Sequence, residues 1–181
     1  PDGPMLFLAN EFLDALPIAQ LVRTQTGWLE RFININGQDS FLFDLRPARP
    51  DILGHIPPPC RTAPPDTWVE VSPARTEFIA ALSTRLRNQG GAALVIDYGH
   101  ERSAPGETLQ AMHAHRFVPV LEHIGEADLT AHVDFAPLLA CAQNAGLQTA
   151  PITPQGDFLK NLGAQTRLNT LCQSNPDNAE S

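Results

Sequence analysis

Two runs of consecutive apolar residues, Met5-Leu6-Phe7-Leu8-Ala9 and Ala92-Ala93-Leu94-Val95-Ile96, stand out along the chain, and each ends in polar residues. Such runs, with no polar alternation, predict strands buried on both faces, as in a parallel sheet covered by helices. Asn10 then offers an N-cap to a short apolar turn through Phe12, Leu13 and Leu16, which Pro17 ends. Residues 18–24, 28–35 and 40–45 are rich in β-branched and aromatic side chains and are separated by Thr26-Gly27 and Asn36-Gly37, so they predict a three-stranded antiparallel meander. Seven of the 17 prolines fall between Arg46 and Asp66, and residues 46–66 read as a loop. A brief extended piece at 68–71 leads to Ser72-Pro73, an N-cap followed by proline at the first helical position. A helix to about residue 88 follows, with Phe78, Ile79, Leu82 and Leu86 at helical spacing and Gly90-Gly91 at its end.

The rear of the chain is less regular. Residues 100–131 show little periodicity beyond one expected helical turn at 108–113, yet the segment is too long to be a mere connection. Asp134 is placed to cap a helix carrying Phe135, Leu138, Leu139 and Ala142, which Gly146 ends. Residues 147–152 predict a third parallel strand. Short helices are expected at 158–162 and 167–172, with Leu168, Leu171 and Cys172 as a buried stripe, before a polar tail at 174–181.

Composition narrows the function classes. Of 181 residues 43% are hydrophobic, enough for one ordinary core, and the formal net charge of -8 comes without a basic stripe to neutralise a phosphate backbone. A nucleic-acid partner is disfavoured. The longest apolar stretches, residues 92–96 and 135–142, are far shorter than the roughly 18 residues that span a bilayer, so no membrane insertion is expected. Cys60, Cys141 and Cys172 form neither a disulfide framework nor a zinc pattern, which fits a reducing compartment.

In open α/β sheets ligands bind beyond the carboxyl ends of the strands. Two such ends are polar here: Asn10-Glu11 with Asp14 one turn on, and Asp97-Tyr98-Gly99-His100. Their other reading is that Asn10 and Asp14 cap and solvate a turn and Asp97 makes one. A third cluster comprises Glu122, His123, Glu126, Asp128, Thr130, His132 and Asp134. His123, His132 and the carboxylates have suitable ligand chemistry, but their spacing matches no metal motif, so no metal is assigned; Asp134 reads better as a helix cap. His113 and His115 read as solvated loop residues. The twelve glycines never occur as Gly-x-Gly, which removes a dinucleotide fingerprint or phosphate loop, and no Gly-x-Ser-x-Gly elbow is present.

Four segments taken together carry a family resemblance: residues 8–17 (Leu-Ala-Asn-Glu-Phe-Leu-Asp-Ala-Leu-Pro), 91–100 (Gly-Ala-Ala-Leu-Val-Ile-Asp-Tyr-Gly-His), 128–135 (Asp-Leu-Thr-Ala-His-Val-Asp-Phe) and 157–163 (Asp-Phe-Leu-Lys-Asn-Leu-Gly). In this order they resemble the signature blocks of the MidA-type family of S-adenosylmethionine-dependent methyltransferases, whose mitochondrial member is a respiratory complex I assembly factor that methylates an arginine. The resemblance implies an α/β fold: part of a Rossmann-like class I methyltransferase sheet, from its fourth strand onward, over residues 1–173, with the meander at 18–45 inserted. The family's glycine-rich cofactor loop, which precedes the first block, is not expected within these residues.

The resemblance further implies S-adenosylmethionine as cofactor and, as protein partner, an arginine-bearing subunit of the NADH:quinone oxidoreductase or its homologue. It also implies a possible homodimer, in the cytoplasm of a bacterium or the mitochondrial matrix of a eukaryote. A guanidinium is best held by carboxylates, so Glu11 becomes the expected substrate clamp with Asp14 in support. Asn10 and Glu11 would orient the cofactor, and Asp97 and His132 would join the catalytic group. Tyr98, His100 and Asp128 would line the acceptor side. The competing expectations are a non-catalytic protein-binding module on the same fold and, more remotely, a metal-dependent hydrolase using the 123–134 cluster.

Overall fold

The computed structural model describes residues 3–37 and 40–174, in two compact units, residues 1–149 and 150–181. In the first unit, β1 (Met5–Asn10) lies parallel to a strand almost ninety residues later, here β6 (Gly91–Ile96), with Ala9 opposite Val95 and Asn10 opposite Ile96. The expected adjacent parallel pair is therefore present. Its faces differ from the expectation of burial on both. Phe7, Ala9 and Val95 point toward the helices, whereas Leu6 and Leu8 are 89% and 68% exposed and Leu94 is exposed with them. Among the described residues, helices pack on one face only, and an apolar run cannot distinguish one covered face from two.

Between the two strands the chain builds an antiparallel sheet from β2 (Ala19–Arg23), β3 (Trp28–Ile35), β4 (Phe41–Pro47) and β5 (Trp68–Val71), in the order β4-β3-β2-β5. The meander thus has four strands rather than three. The piece at 68–71 folds back beside β2, placing Leu21 opposite Val69. The Asn36-Gly37 signal does mark a hairpin, but Ile35 pairs with Phe41, so its loop is longer than a two-residue turn, and the Asn36 side chain accepts from the Ser40 amide at 3.0 Å.

The proline-rich stretch is more than a loop. It contains α1 (Pro50–Leu53) and a 3-10 turn at Pro58–Cys60, whose Ile52, Ile56 and Cys60 are buried against Leu21, Val69 and Val71 as one core. Proline suits helix first turns, where its missing N–H has no partner to lose. Burial pushes the Cys60 thiol above its usual pKa, with Asp134 adding to the effect, so this cysteine is a packing residue.

Helix α2 (Pro73–Gln89) starts as expected, with the Ser72 hydroxyl accepting from the Arg75 amide, and ends at Gly90. Helix α3 (Phe135–Asn144) is capped by the Asp134 carboxylate and closed by Gly146 at φ 84°. Leu13, Ile79, Val133 and Leu138 form the core between these helices and the parallel strands.

Three further departures lie in the rear of this unit and just after it. Residues 110–113 are a strand, β8 (Gln110–His113), rather than a helical turn; β8 pairs with β9 (Arg116–Val118) on one side and β10 (Asp128–Thr130) on the other. Residues 147–152 form no strand, and Pro151 has no amide to donate there. The remaining parallel pairing joins β7 (Gly99–His100) to β11 (Val133–Asp134). For β8 and for the β7–β11 pair, long-range pairing outweighed a few residues of local pattern, whereas residues 147–152 pair with no strand among the described residues.

In the second unit, α4 (Gln155–Asn161) and α5 (Ala164–Ser174) appear close to where they are expected. The stripe of Leu168 and Leu171 is exposed rather than buried, Cys172 is half-buried, and no third element of that unit covers them among the described residues. The expected tail beyond Ser174 lies outside the described residues.

At Gly99 an added Cβ would overlap the Val133 carbonyl oxygen and come within 2.7 Å of that residue's carbonyl carbon and amide nitrogen, backbone atoms that hold β7 to β11. Gly99→Ala is expected to destabilise the protein by about 3 kcal/mol in urea denaturation, as overpacking does. Gly27→Ala, where the added carbon meets nothing within 4 Å, should change stability by no more than about 0.5 kcal/mol.

Candidate active site

Because β1 and β6 are parallel and in register, residues 10–14 and 97–98 leave the sheet side by side at the same end. The Glu11 amide extends the pairing by one bond, donating to the Ile96 carbonyl at 2.8 Å, and Glu11 then turns the chain at φ 48°. A non-glycine residue in this left-handed region costs of the order of 1 kcal/mol or more and persists where its surroundings over-determine it. Those surroundings are visible here. The Asp97 Oδ2 atom accepts from the amides of Phe12, Leu13 and Asp14 at 3.2, 2.9 and 3.2 Å, and Oδ1 accepts from the Tyr98 amide at 3.0 Å. Asp97, more than eighty residues away in sequence, performs the capping expected of Asn10.

Arg75 holds the same loop from the other side. Its guanidinium, on a residue only 4% exposed, donates to the carbonyls of Leu13 at 2.7 Å, Asp14 at 3.1 Å, Ala131 at 2.9 Å and His132 at 2.8 Å. Burial lowers its pKa from the usual arginine value, opposed by the fields of Asp97, Glu70 and Asp14. The Ala131 amide returns a bond to the Asp14 carbonyl at 3.1 Å, so the 131–132 segment is fastened directly beside residues 13–14.

Asp14 sits at the centre. It is 5% exposed; one carboxylate oxygen accepts the Tyr98 hydroxyl, and the other is buried with no hydrogen-bond partner among the described residues. Burial and the bond to Asp14 raise the Tyr98 pKa, with the Thr130 hydroxyl opposing, so Tyr98 is a protonated donor at neutral pH. The His132 ring stands edge-on to Tyr98 at 5.7 Å, and its amide donates to the Thr108 hydroxyl at 2.9 Å. Thr108 in turn is tied to the Glu70 carboxylate, which also accepts from the amides of Thr108 and Leu109 at 2.9 and 3.0 Å.

The structure thus brings Glu11, Asp14, Asp97, Tyr98 and His132 to one strand end, with Asn10 as the exposed last residue of β1. It does not bring all the expected residues there. His100 is paired with Asp134 and lines a groove of about 1270 Å³ that His132, Arg75, Glu70, Thr108 and Ile56 also border. Asp128 is exposed on β10 opposite Met112. The 122–134 cluster is not one site, since Asp134 is spent on the α3 cap and His132 on the Tyr98 side. Arg75 was missed by the sequence reading. Its signal is a lone cation on the apolar stripe of α2, four residues before Ile79 and eleven before Leu86, both buried.

Beside Asn10, Phe7, Leu8, Phe12 and Phe78 border a shallow apolar hollow of about 370 Å³, with Phe12 and Phe78 ring centroids 5.0 Å apart. A glycine cradle for a cofactor carboxylate is a different matter. At Gly91 and Gly99 the space a side chain would occupy is already filled by the backbones of Met5 and Val133. Gly90-Gly91 is the one adjacent pair among the described glycines, and no two lie one residue apart.

A parallel pair with polar, carboxylate-bearing strand ends has the arrangement beyond which α/β proteins bind their ligands. Comparison makes the class specific: residues 1–153 match the model of an S-adenosyl-L-methionine-dependent methyltransferase family, and the chain belongs to that family. It is 37% identical over 180 residues to the mouse mitochondrial protein arginine methyltransferase NDUFAF7 and 38% identical over 173 residues to the human one. In both cases the match takes in 94% of this chain and 38% of the relative. The Caenorhabditis elegans homologue is 34% identical over 174 residues, with 96% and 41% covered. The chain therefore spans about two-fifths of the length of these relatives. Among solved structures, a Burkholderia thailandensis protein superimposes with a TM-score of 0.82 at 26% identity, covering 99% of this chain and 50% of that one. A second structure from the same organism and superfamily, bound to S-adenosyl-homocysteine, gives 0.80 at 26% identity over 99% and 48%. The expected family, fold class and cofactor of the family are all upheld.

Burial and the nearby Asp14 carboxylate raise the Asp97 pKa, while the amides of Asp14, Leu13 and Tyr98 oppose the rise, and the net direction is upward. A carboxyl with a higher pKa folded than unfolded binds its proton more tightly in the native state. Its ionisation then costs stability as the pH climbs from about 4 through the raised value. Asp97→Asn keeps an oxygen acceptor for the loop and removes the charge. Urea titrations from pH 3 to 7 should show that decline in the parent protein and a flatter profile in the variant.

Proposed function

We propose that the whole protein transfers a methyl group to an arginine side chain of a protein substrate, and that this chain supplies the wall that holds the acceptor. The observation that carries this reading is the buried oxygen of Asp14, with no hydrogen-bond partner among the described residues, three positions along the same loop from the exposed Glu11. A buried acceptor without a donor is costly. A guanidinium offers planar, charged N–H donors that would satisfy it. S-adenosylmethionine, when bound, supplies the electrophilic methyl carbon.

The work of these residues is to aim one guanidinium nitrogen at that carbon and hold it there, since positioning alone can account for much of the acceleration. Glu11 grips the guanidinium from the strand end. Asp14 receives a second N–H from below, and Tyr98 fixes the orientation of the Asp14 carboxylate through its hydroxyl. Asp97 sets the path of the loop that carries both acids, while His132 closes the side toward the groove. Asn10 and the aromatic hollow beside it face the cofactor side. The names of the relatives, arginine methyltransferases, agree with a guanidinium acceptor. The NADH:quinone oxidoreductase subunit inferred from the family resemblance remains the proposed substrate, and a mitochondrial or bacterial cytoplasmic setting follows from which relatives the source resembles. Among the described residues no helix is long and apolar enough to cross a membrane.

Glu11→Gln conserves shape and removes the charge. In the whole protein its turnover on an arginine-bearing substrate should fall about a hundredfold, corresponding to roughly 2–3 kcal/mol for a charge-assisted bond at a desolvated site, with folding unchanged by circular dichroism. Near-normal turnover would pass the clamp to Asp14. Since the described glycines form no cradle, the 181 residues by themselves should bind S-adenosylmethionine weakly in calorimetry, and micromolar affinity would reveal a substitute site.

A further inference from the structure

The residues of the 108–130 region include a cluster that the methyl-transfer reading leaves unused. β8 ends at His113, and the two-residue turn Ala114-His115, both at positive φ (48° and 60°), reverses the chain into β9 so that His113 faces Arg116 across the hairpin. The segment entering β10 makes its own tight turn. His123 lies at φ 49°, and its carbonyl accepts from the amides of Glu126 and Ala127, each at 2.9 Å. The pairing of β8 with β10, Met112 opposite Asp128, brings these two turns together.

The imidazoles of His113 and His123 consequently stack, with centroids 4.1 Å apart and planes 8° from parallel. Glu126 reaches both. Its Oε2 lies 3.8 Å from His113 Nε2 and 3.9 Å from His123 Nδ1, and one ligand atom from each of the three residues falls within 4.8 Å of the other two. Sequence spacing could not have suggested this set, because the two histidines are ten residues apart, one at the end of β8 and the other in the turn before β10, and the obvious alternative, His132, faces Tyr98 instead.

We propose that His113, His123 and Glu126 bind one divalent first-row transition cation, zinc being the best match, as a clamp between the β8–β9 hairpin and the turn before β10. Two neutral imidazoles and a carboxylate suit zinc, cobalt and nickel and leave positions for water. In a tetrahedral zinc site, ligand atoms about 2.0–2.1 Å from the metal lie about 3.3–3.4 Å from one another. The carboxylate-to-imidazole distances here exceed that by only about 0.5 Å. A metal must also lie in the plane of each ring it ligates, so one of the stacked imidazoles rotates on binding. The cation is a cross-link. The cluster is partly exposed and shares no residue with the Asp14–Tyr98 pair, so the clamp orders this small sheet and supplies no reacting group.

The test is calorimetric titration of the purified protein with zinc chloride, paired with visible absorption of its cobalt form. The expected result is one equivalent bound, cobalt bands of four- or five-coordinate intensity, and a rise in thermal midpoint with zinc. His113→Ala and His123→Ala should each weaken binding at least tenfold, and Glu126→Gln, which leaves the backbone turn intact, should weaken it severalfold. His55→Ala, at an exposed histidine elsewhere, should bind as the parent does. Unchanged affinity in Glu126→Gln and His123→Ala, or zinc uptake lost in His55→Ala, would overturn the proposal. Cobalt spectra of six-coordinate intensity with no dependence on His113 would do the same.

Discussion

A single buried guanidinium decides how the strand ends of this protein are arranged. Arg75 gives four hydrogen bonds to main-chain carbonyls in two separate segments, residues 13–14 and 131–132. None of those segments is regular secondary structure, so their carbonyls have no ladder to satisfy them. Without such a donor the carbonyls of Leu13 and Asp14 would keep the amides of Leu16 and Ala131, but those of Ala131 and His132 would lose the guanidinium that answers them, at about 1–3 kcal/mol each. A charged donor with a planar fork can serve four at once, which a lysine cannot. The position of the site's acids follows from this, because Asp14 and the 131–132 segment are held by the same side chain.

Asp97 complements Arg75 with the opposite polarity. One oxygen gathers three successive amides of the 12–14 segment, as a helix N-cap does, but from a different strand. The loop is thus fixed by its carbonyls on one side and its amides on the other, and the left-handed Glu11 is the hinge between sheet and loop. With the backbone held this firmly, Asp14 is left carrying a buried oxygen that nothing in the loop answers. A site that is rigid before it is occupied spends little of its binding energy on ordering itself.

The antiparallel sheet is anchored by a second set of buried charges. Glu30, nearly inaccessible, is gripped by the Arg49 guanidinium and main-chain amide, which pins the start of the proline-rich stretch to β3. Glu70 on β5 takes the Gln20 side-chain amide and the Thr108 and Leu109 amides, and so links the same sheet to the segment bearing His132. The sheet and the strand end are therefore coupled through named hydrogen bonds as well as through packing.

Much of this architecture is written locally. The apolar runs of β1 and β6, the Ser72-Pro73 start and Gly90 stop of α2, the Asp134 cap and Gly146 end of α3, and the strands of the meander all follow from residues within a few positions of one another, and local signals suffice where capping and periodicity are local physics. The acids at the two strand ends were legible for the same reason, since a strand that stops in Asn-Glu or Asp-Tyr announces itself. What tertiary structure alone decided is every feature made by partners far apart in the chain. β5 joins the meander because Val69 and Val71 complete a core with Ile52, Ile56 and Cys60. Residues 110–113 become a strand because β9 and β10 are there to pair with them. Asp97 replaces Asn10 as the cap, and Arg75 turns from an anomaly on an apolar helix face into the donor for two loops. Four residues of pattern carry too little energy to resist such pairings, and a buried polar side chain has no identity in the sequence until its partners, sixty or eighty residues away, are folded against it.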